Sequence, residues 1–262
     1  MAVISILKQR PNVNKKLVFI SHITEESELA VILSEEIKKS YLGMLDTFVS
    51  SDGQSLPAGG RWIDQIDTAL NQSAIQISLC SPQSIKRPWI NFEAGASWIR
   101  KIPVVPVCHS GLTKGDLPIP LAMLQAADIS NRTDLEIMFN ELTKILGATK
   151  TPNIDYDSII SSAKEFEHKY TYVARVKNAI FSVINTCPQL KDLFLSGSIQ
   201  STPLQIKDFQ YNEMAKHLDF LKDNELLAYG FNQTLITGDG TFKGGNVSVT
   251  SAYLNNVIEL VR

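Results

Sequence analysis

The chain has 262 residues, with 25 Lys and Arg against 27 Asp and Glu and four His, a formal charge of -2. That near-balance argues against a surface built to wrap a nucleic-acid backbone, and 44% hydrophobic with 20% charged residues describes a globular chain rather than a disordered one. Three cysteines, Cys80, Cys108 and Cys187, stand far apart with no CxxC, which argues against a disulfide framework or a zinc knuckle and fits a reducing compartment.

Residues 1–15 read as an N-terminal extension whose apolar start is broken by Lys8 and Arg10, too short for a signal h-region. No run approaches the roughly 20 apolar residues of a spanning helix, so the expectation is a soluble, cytoplasmic protein with no membrane partner. Leu17 to Ile20 is a short apolar strand ending in Ser21-His22. An amphipathic helix follows, with Leu29, Ile32, Leu33 and Ile37 on one face, acids early and Lys38-Lys39 late, matching the helix dipole. Leu45–Val49 is a second strand and residues 59–71 a second helix. Ala74–Leu79 is a third strand. A third helix runs from Pro88 to Arg100, with Pro at the first turn where its missing N–H costs nothing. Residues 102–108 form a fourth strand interrupted by Pro103 and Pro106, Ala126–Ile129 a short fifth, and Thr133–Leu146 a closing helix.

Strands alternating with helical crossovers predict a parallel sheet covered on both faces, and such sheets bind ligands beyond the carboxyl ends of their strands. That rule selects Ser21 and His22, Ser50 to Asp52, Ser81 to Ser84, and Cys108 to His109. A Gly, Pro and small polar stretch from Gly147 to Ile154 marks a boundary, giving a first domain over 16–147 and a second over 156–262. In the second, a helix over 157–184, a helical stretch over 204–222, a strand near 225–229, a hairpin around the Gly-rich turn 238–245 and a last helix over 252–261 predict a smaller α+β domain resembling a winged helix in topology. Residues 150–262 hold 11 basic and 12 acidic residues, against 14 and 15 up to residue 149, so an oligomerisation or regulatory role is expected there and nucleic acid is not.

The densest chemical signal is Ser81-Pro-Gln-Ser-Ile-Lys-Arg-Pro-Trp89-Ile-Asn-Phe-Glu93-Ala-Gly-Ala. Trp89 and Glu93 are four apart and share a helix face near its positive end. A carboxylate beside an aromatic platform suits a ribosyl group. The ring stacks on a sugar or base, and the acid accepts from ribose hydroxyls and stabilises the oxocarbenium character that develops as a glycosidic bond breaks. The bland alternative is a core tryptophan with a surface acid. Two further features bear on it: the long glycine-rich loop from Ser50 to Trp62, and Phe19-Ile-Ser-His22 ahead of an acidic helix start. His22 either contacts substrate or ends a strand. His109 reads as a loop histidine, and Cys80 and Cys108 as strand-core thiols. Ser84 is expected to hydrogen-bond within the cleft. No spacing forms a triad or a metal site, and the 238–245 glycines lack the phosphate-loop signature.

Taken together, FISH with ESELAVILSEEI, the Asp52–Trp62 loop leading into IDQIDTAL, SAIQISLCSPQSIKRPWINFEAG and IPVVPV resemble the Toll/interleukin-1 receptor (TIR) domain family over about residues 16–146, in its bacterial form. The resemblance implies a flavodoxin-like sheet of five parallel strands. It also implies cleavage of NAD+ at the nicotinamide–ribose bond, to ADP-ribose or a cyclic isomer, in antiphage defence signalling. On that basis Glu93 is the catalytic acid and Trp89, Ser21, His22, Ser84, Asp52 and Arg61 border the substrate. NAD+ is then substrate rather than cofactor, no metal is required, and TIR–TIR contacts build a homo-oligomer. Ile23 stands where some catalytic members carry a basic residue. A non-catalytic adaptor assembling through the same loop is the alternative.

Overall fold

The computed structural model describes residues 15–50, 62–197 and 199–261. The chain divides into two compact units between Tyr170 and Thr171.

In the first unit, β1 (Lys16–Ser21), β2 (Leu45–Ser50), β3 (Ser73–Cys80), β4 (Val104–Cys108) and β5 (Ala127–Asp128) form a parallel sheet in the order β2-β1-β3-β4-β5. This is the flavodoxin-like order expected of the sequence. β1 and β3 read as near-continuous apolar runs because both faces are covered. Val18, Ile20, Ile77, Leu79 and Val107 pack in one core with α1 (Ser27–Ser40) and α4 (Arg132–Ile145). Phe19, on the opposite face, packs with Ile66, Ala69 and Leu70 of α2 (Trp62–Gln72), and Ile90 and Ala94 of α3 (Pro88–Ile99) join Cys80 and Cys108. β4 begins at Val104, after Pro103. Pro106 is tolerated because β5 pairs with β4 only at Val107 and Cys108, leaving no ladder on that side for the missing N–H.

The sequence ends its first domain at Gly147, whereas the division observed lies inside α5 (Tyr156–Thr186). Ile159, Ala163, Phe166 and Tyr170 recur at helical spacing and join the first core, as does Ile154 from the connecting loop. Val176, Ala179, Ile180 and Val183 join the second.

The second unit has α6 (Lys191–Ser196), β6 (Thr202–Lys207), α7 (Asp208–Asp223), β7 (Leu227–Thr237), β8 (Gly240–Val249), α8 (Ser251–Asn256) and α9 (Ile258–Val261). Its antiparallel sheet has the order β6-β8-β7. The helical stretch expected over 204–222 is instead strand β6 followed by α7. Leu204 and Ile206 are buried and alternate with exposed Gln205 and Lys207, a period of two, and Pro203 is accommodated on an edge strand. A single helix, α7, separates β6 from the hairpin, so the winged-helix likeness extends to the sheet and not to a helix-turn-helix pair. β7 carries a register shift between Gly230 and Gln233. Opposite it, a Cβ on Gly245 would lie 2.1 Å from the Gly230 carbonyl oxygen, so only glycine fits.

All three cysteines are free and buried. Burial pushes the Cys80 thiol well above its ordinary range and Cys108 to about 11, and raises Cys187. At pH 8 none of the three should react with an aromatic disulfide reagent in the native protein, and denaturation should release all three. Prompt labelling of native protein would show that the packing is looser. Gly245→Ala should destabilise the protein by about 1–3 kcal/mol or more, read by urea denaturation. Gly238→Ala, where a Cβ meets nothing within 4 Å, should stay within about 0.5 kcal/mol of wild type.

Candidate functional site

The carboxyl ends of β1 and β2 bring two serines side by side. Ser21 and Ser50 are the last residues of their strands and are register partners. Across from them stands α3. It starts at Pro88 as N1 and turns Ile90, Glu93, Ala94 and Ser97 inward, the i, i+3, i+4, i+7 stripe of a core-facing helix. One position of that stripe is a carboxylate, and Glu93 has no exposed surface.

Among the described residues, three side-chain donors hold it. Ser21 Oγ donates to Oε2 in a short hydrogen bond, Ser50 Oγ donates to Oε1 at 3.0 Å, and Trp89 Nε1 donates to Oε1 at 2.7 Å. A buried charge survives only when paired or hydrogen-bonded. The donors come from β1, β2 and the preceding turn of α3, so the acid fixes the relative placement of three elements. The Trp89 ring meets Phe92 at 5.0 Å between centroids and 31° between planes, and Phe92 is half exposed, so an aromatic surface flanks the acid. This arrangement orients a carboxylate at the sheet's ligand-binding edge beside a ring that can stack on a planar group.

The remaining expectations divide. His22 is buried, and its backbone N–H donates to the Ser50 carbonyl at 3.2 Å, extending the β1–β2 ladder. Ser84 is also buried, but its hydroxyl works within its own turn, accepting from Ser81 N at 2.7 Å and donating to Leu79 O at 3.3 Å. It therefore stabilises the β3–α3 turn. Arg87 pairs with Glu25 at 3.2 Å on the surface. Asp52 and Arg61 lie outside the described residues. His109 lies in the loop just past β4, as the sequence suggested, and is buried there, 3.2 Å from Glu26. Ser50 was legible in the sequence only as one of several strand-end residues. What singles it out is the pairing of β2 with β1, which no local pattern encodes. Among the described residues no group of three His, Cys, Asp or Glu is placed to hold a metal ion, and no helix is long and apolar enough to cross a membrane.

Comparison with known proteins adds the family. A model described as the TIR domain matches residues 18–143, just under half of the chain. No functionally curated protein matches. Among solved structures, the TIR domain of the Toll-related receptor TRR-2 from Hydra magnipapillata aligns at 16% identity over 50% of this chain and 97% of that one, with a TM-score of 0.38. The TIR domains of the activated Roq1 resistosome align at 14% identity over 60% and 84%, with a TM-score of 0.29. A metazoan TIR-STING receptor from C. gigas aligns at 14% identity over 87% and 69%, with a TM-score of 0.33. Likenesses at these scores carry no further argument. The family match and the β2-β1-β3-β4-β5 parallel sheet together make residues 18–143 a TIR domain.

Proposed function

We propose that the TIR domain cleaves NAD+ at the nicotinamide–ribose bond, in the setting of antiphage defence signalling and as a homo-oligomer built through TIR–TIR contacts. The observation that carries this reading is the Glu93 carboxylate, held by Ser21, Ser50 and Trp89 at the carboxyl edge of the sheet.

In the reaction the C1′–N bond breaks and its electron pair leaves with nicotinamide as the neutral base. The ribosyl carbon takes on oxocarbenium character, which a carboxylate stabilises electrostatically. Water then attacks C1′ and releases a proton to give ADP-ribose, or the adenine ring of the same molecule attacks to give a cyclic isomer. Glu93 accepts from the nicotinamide-side ribose hydroxyls and Trp89 walls the cleft. Glu93 has no exposed surface, so the ribose hydroxyls take over acceptor positions that Ser21 and Ser50 fill in this structure. Those serines are then exchangeable donors rather than permanent ones.

The same burial favours a second reading from another class. An acid fully enclosed and triply bonded also serves as a structural pin in a non-catalytic adaptor that works by assembly alone.

Nicotinamide release from NAD+ by the full chain, followed across protein concentration and with a crowding agent, separates the two. The enzyme reading expects turnover that rises faster than linearly with protein. Glu93→Gln keeps the side chain's size and removes its charge, and should lower kcat by about a hundredfold or more. No release under any of these conditions overturns the enzyme reading and leaves the adaptor. Turnover unchanged in Glu93→Gln overturns the site assignment.

A further inference from the structure

A second buried polar group lies at the same edge of the sheet, and the chemistry assigned to Glu93 does not use it. Glu26 ends the 3-10 turn that follows β1. Its Oε2 accepts from the Ile23 backbone N–H at 3.3 Å. A carboxylate closing such a turn normally points to water, yet Glu26 has no exposed surface. The Tyr170 hydroxyl, from α5, donates to its Oε1 at 3.4 Å. His109 Nε2, just past β4, stands 3.2 Å from the same oxygen without making a hydrogen bond to it. The imidazole packs against the rings of Phe166 and Tyr170, which themselves stand 5.3 Å apart, and its Nδ1 meets Ser110 Oγ at 2.9 Å.

The Tyr170 oxygen also meets Ser81 Oγ at 3.0 Å. With the tyrosine proton directed at Glu26, the Ser81 proton is directed at Tyr170. Burial raises the tyrosine's titration further above neutrality, so the hydroxyl keeps that proton. Ser81 Oγ in turn accepts from the backbone N–H groups of Gln83 at 3.2 Å and Ser84 at 3.1 Å. One continuous chain of donors thus runs from the turn after β3, through Tyr170, to the turn after β1.

Those two turns are the anchors of the Glu93 cluster. Ser21, a Glu93 donor, precedes Ile23 by two residues. The Ser81–Arg87 turn delivers the chain into α3, which carries Trp89 and Glu93. Resting on the proposed NAD+ chemistry, we propose that Tyr170 and Glu26 are positioning residues for the Glu93 site: the Tyr170 hydroxyl clasps the Ser81 turn to Glu26 and so sets Trp89 and Glu93 against Ser21. Loss of that hydroxyl leaves the core packed but lets the turn and the start of α3 drift. Reactions that depend on oriented groups lose about a hundredfold for displacements near 1 Å.

The test compares Tyr170→Phe with Tyr41→Phe in the full chain. Tyr41 is another buried tyrosine of the same unit. Its hydroxyl serves the Phe139 carbonyl and Thr143, away from both turns. The first readout is amide hydrogen exchange over residues 81–93, which needs no activity. The clasp expects exchange there to rise roughly three- to tenfold in Tyr170→Phe, the loss of one net hydrogen bond, and to stay at wild-type level in Tyr41→Phe. The second is nicotinamide release. kcat should fall about tenfold or more in Tyr170→Phe, KM should hold, and Tyr41→Phe should match wild type. Glu26→Gln keeps the side chain's size but removes the charge that accepts from the Tyr170 hydroxyl, and gives the same reading if the tyrosine change prevents folding. Unchanged exchange over 81–93 overturns the clasp. So does raised exchange with kcat equal to that of Tyr41→Phe, which makes the network a stabilising one only. A wild-type protein that releases no nicotinamide removes the proposed activity, while the exchange contrast still decides whether the clasp exists.

Discussion

A carboxylate in the core face of a helix is the constraint on which the first unit turns. Removing a carboxylate from water costs on the order of several kcal/mol even after relaxation. Hydrogen bonds to a charged group return about 1.5–3 kcal/mol each. Glu93 therefore requires donors from more than one neighbour, and it finds them on β1, β2 and the preceding turn of α3. Each requirement propagates. Ser21 and Ser50 must be register partners, so β1 and β2 must end together. Trp89 must point its indole N–H inward, which turns its ring toward Phe92 and leaves an aromatic surface beside the acid.

The carboxyl edge of the sheet thus carries two buried acids in separate settings. Glu93 is held by side-chain hydroxyls and an indole, groups that a hydroxyl-bearing ligand can replace one for one. Glu26 is held by a backbone N–H and a phenol, with an imidazole beside it that packs against two aromatic rings. Tyr170 reaches it from within α5, and Ile23 from the start of its own turn. The polypeptide between strand ends and helix starts is tied to both acids.

The second unit is organised by a different restriction. Its three-stranded sheet buries Leu204, Ile206, Val247 and Val249 against the later part of α5 and α7. The long β7 strand pairs with β8 on both sides of a register shift opposite Gly245.

Periodicity in the sequence determined the five parallel strands and the four helices around them, and the motifs along them carried the family resemblance. These are local properties: strands covered on both faces must be continuously apolar, and helices packed on one side must repeat at 3.6. The pairing of Trp89 with Glu93 was legible for the same reason, being one helical turn. Sequence did not determine that Glu93 faces inward, that Ser50 rather than Ser84 reaches it, or that Tyr170 returns to Glu26 from 144 residues away. Those depend on which strand lies beside which and on where α5 docks, and such contacts follow from burial summed over the whole core rather than from any window of the chain. The same holds for β6, where two buried residues and a proline carry little local signal and the strand exists because β8 offers an edge, and for α5, whose single helical pattern conceals that its two halves belong to different cores.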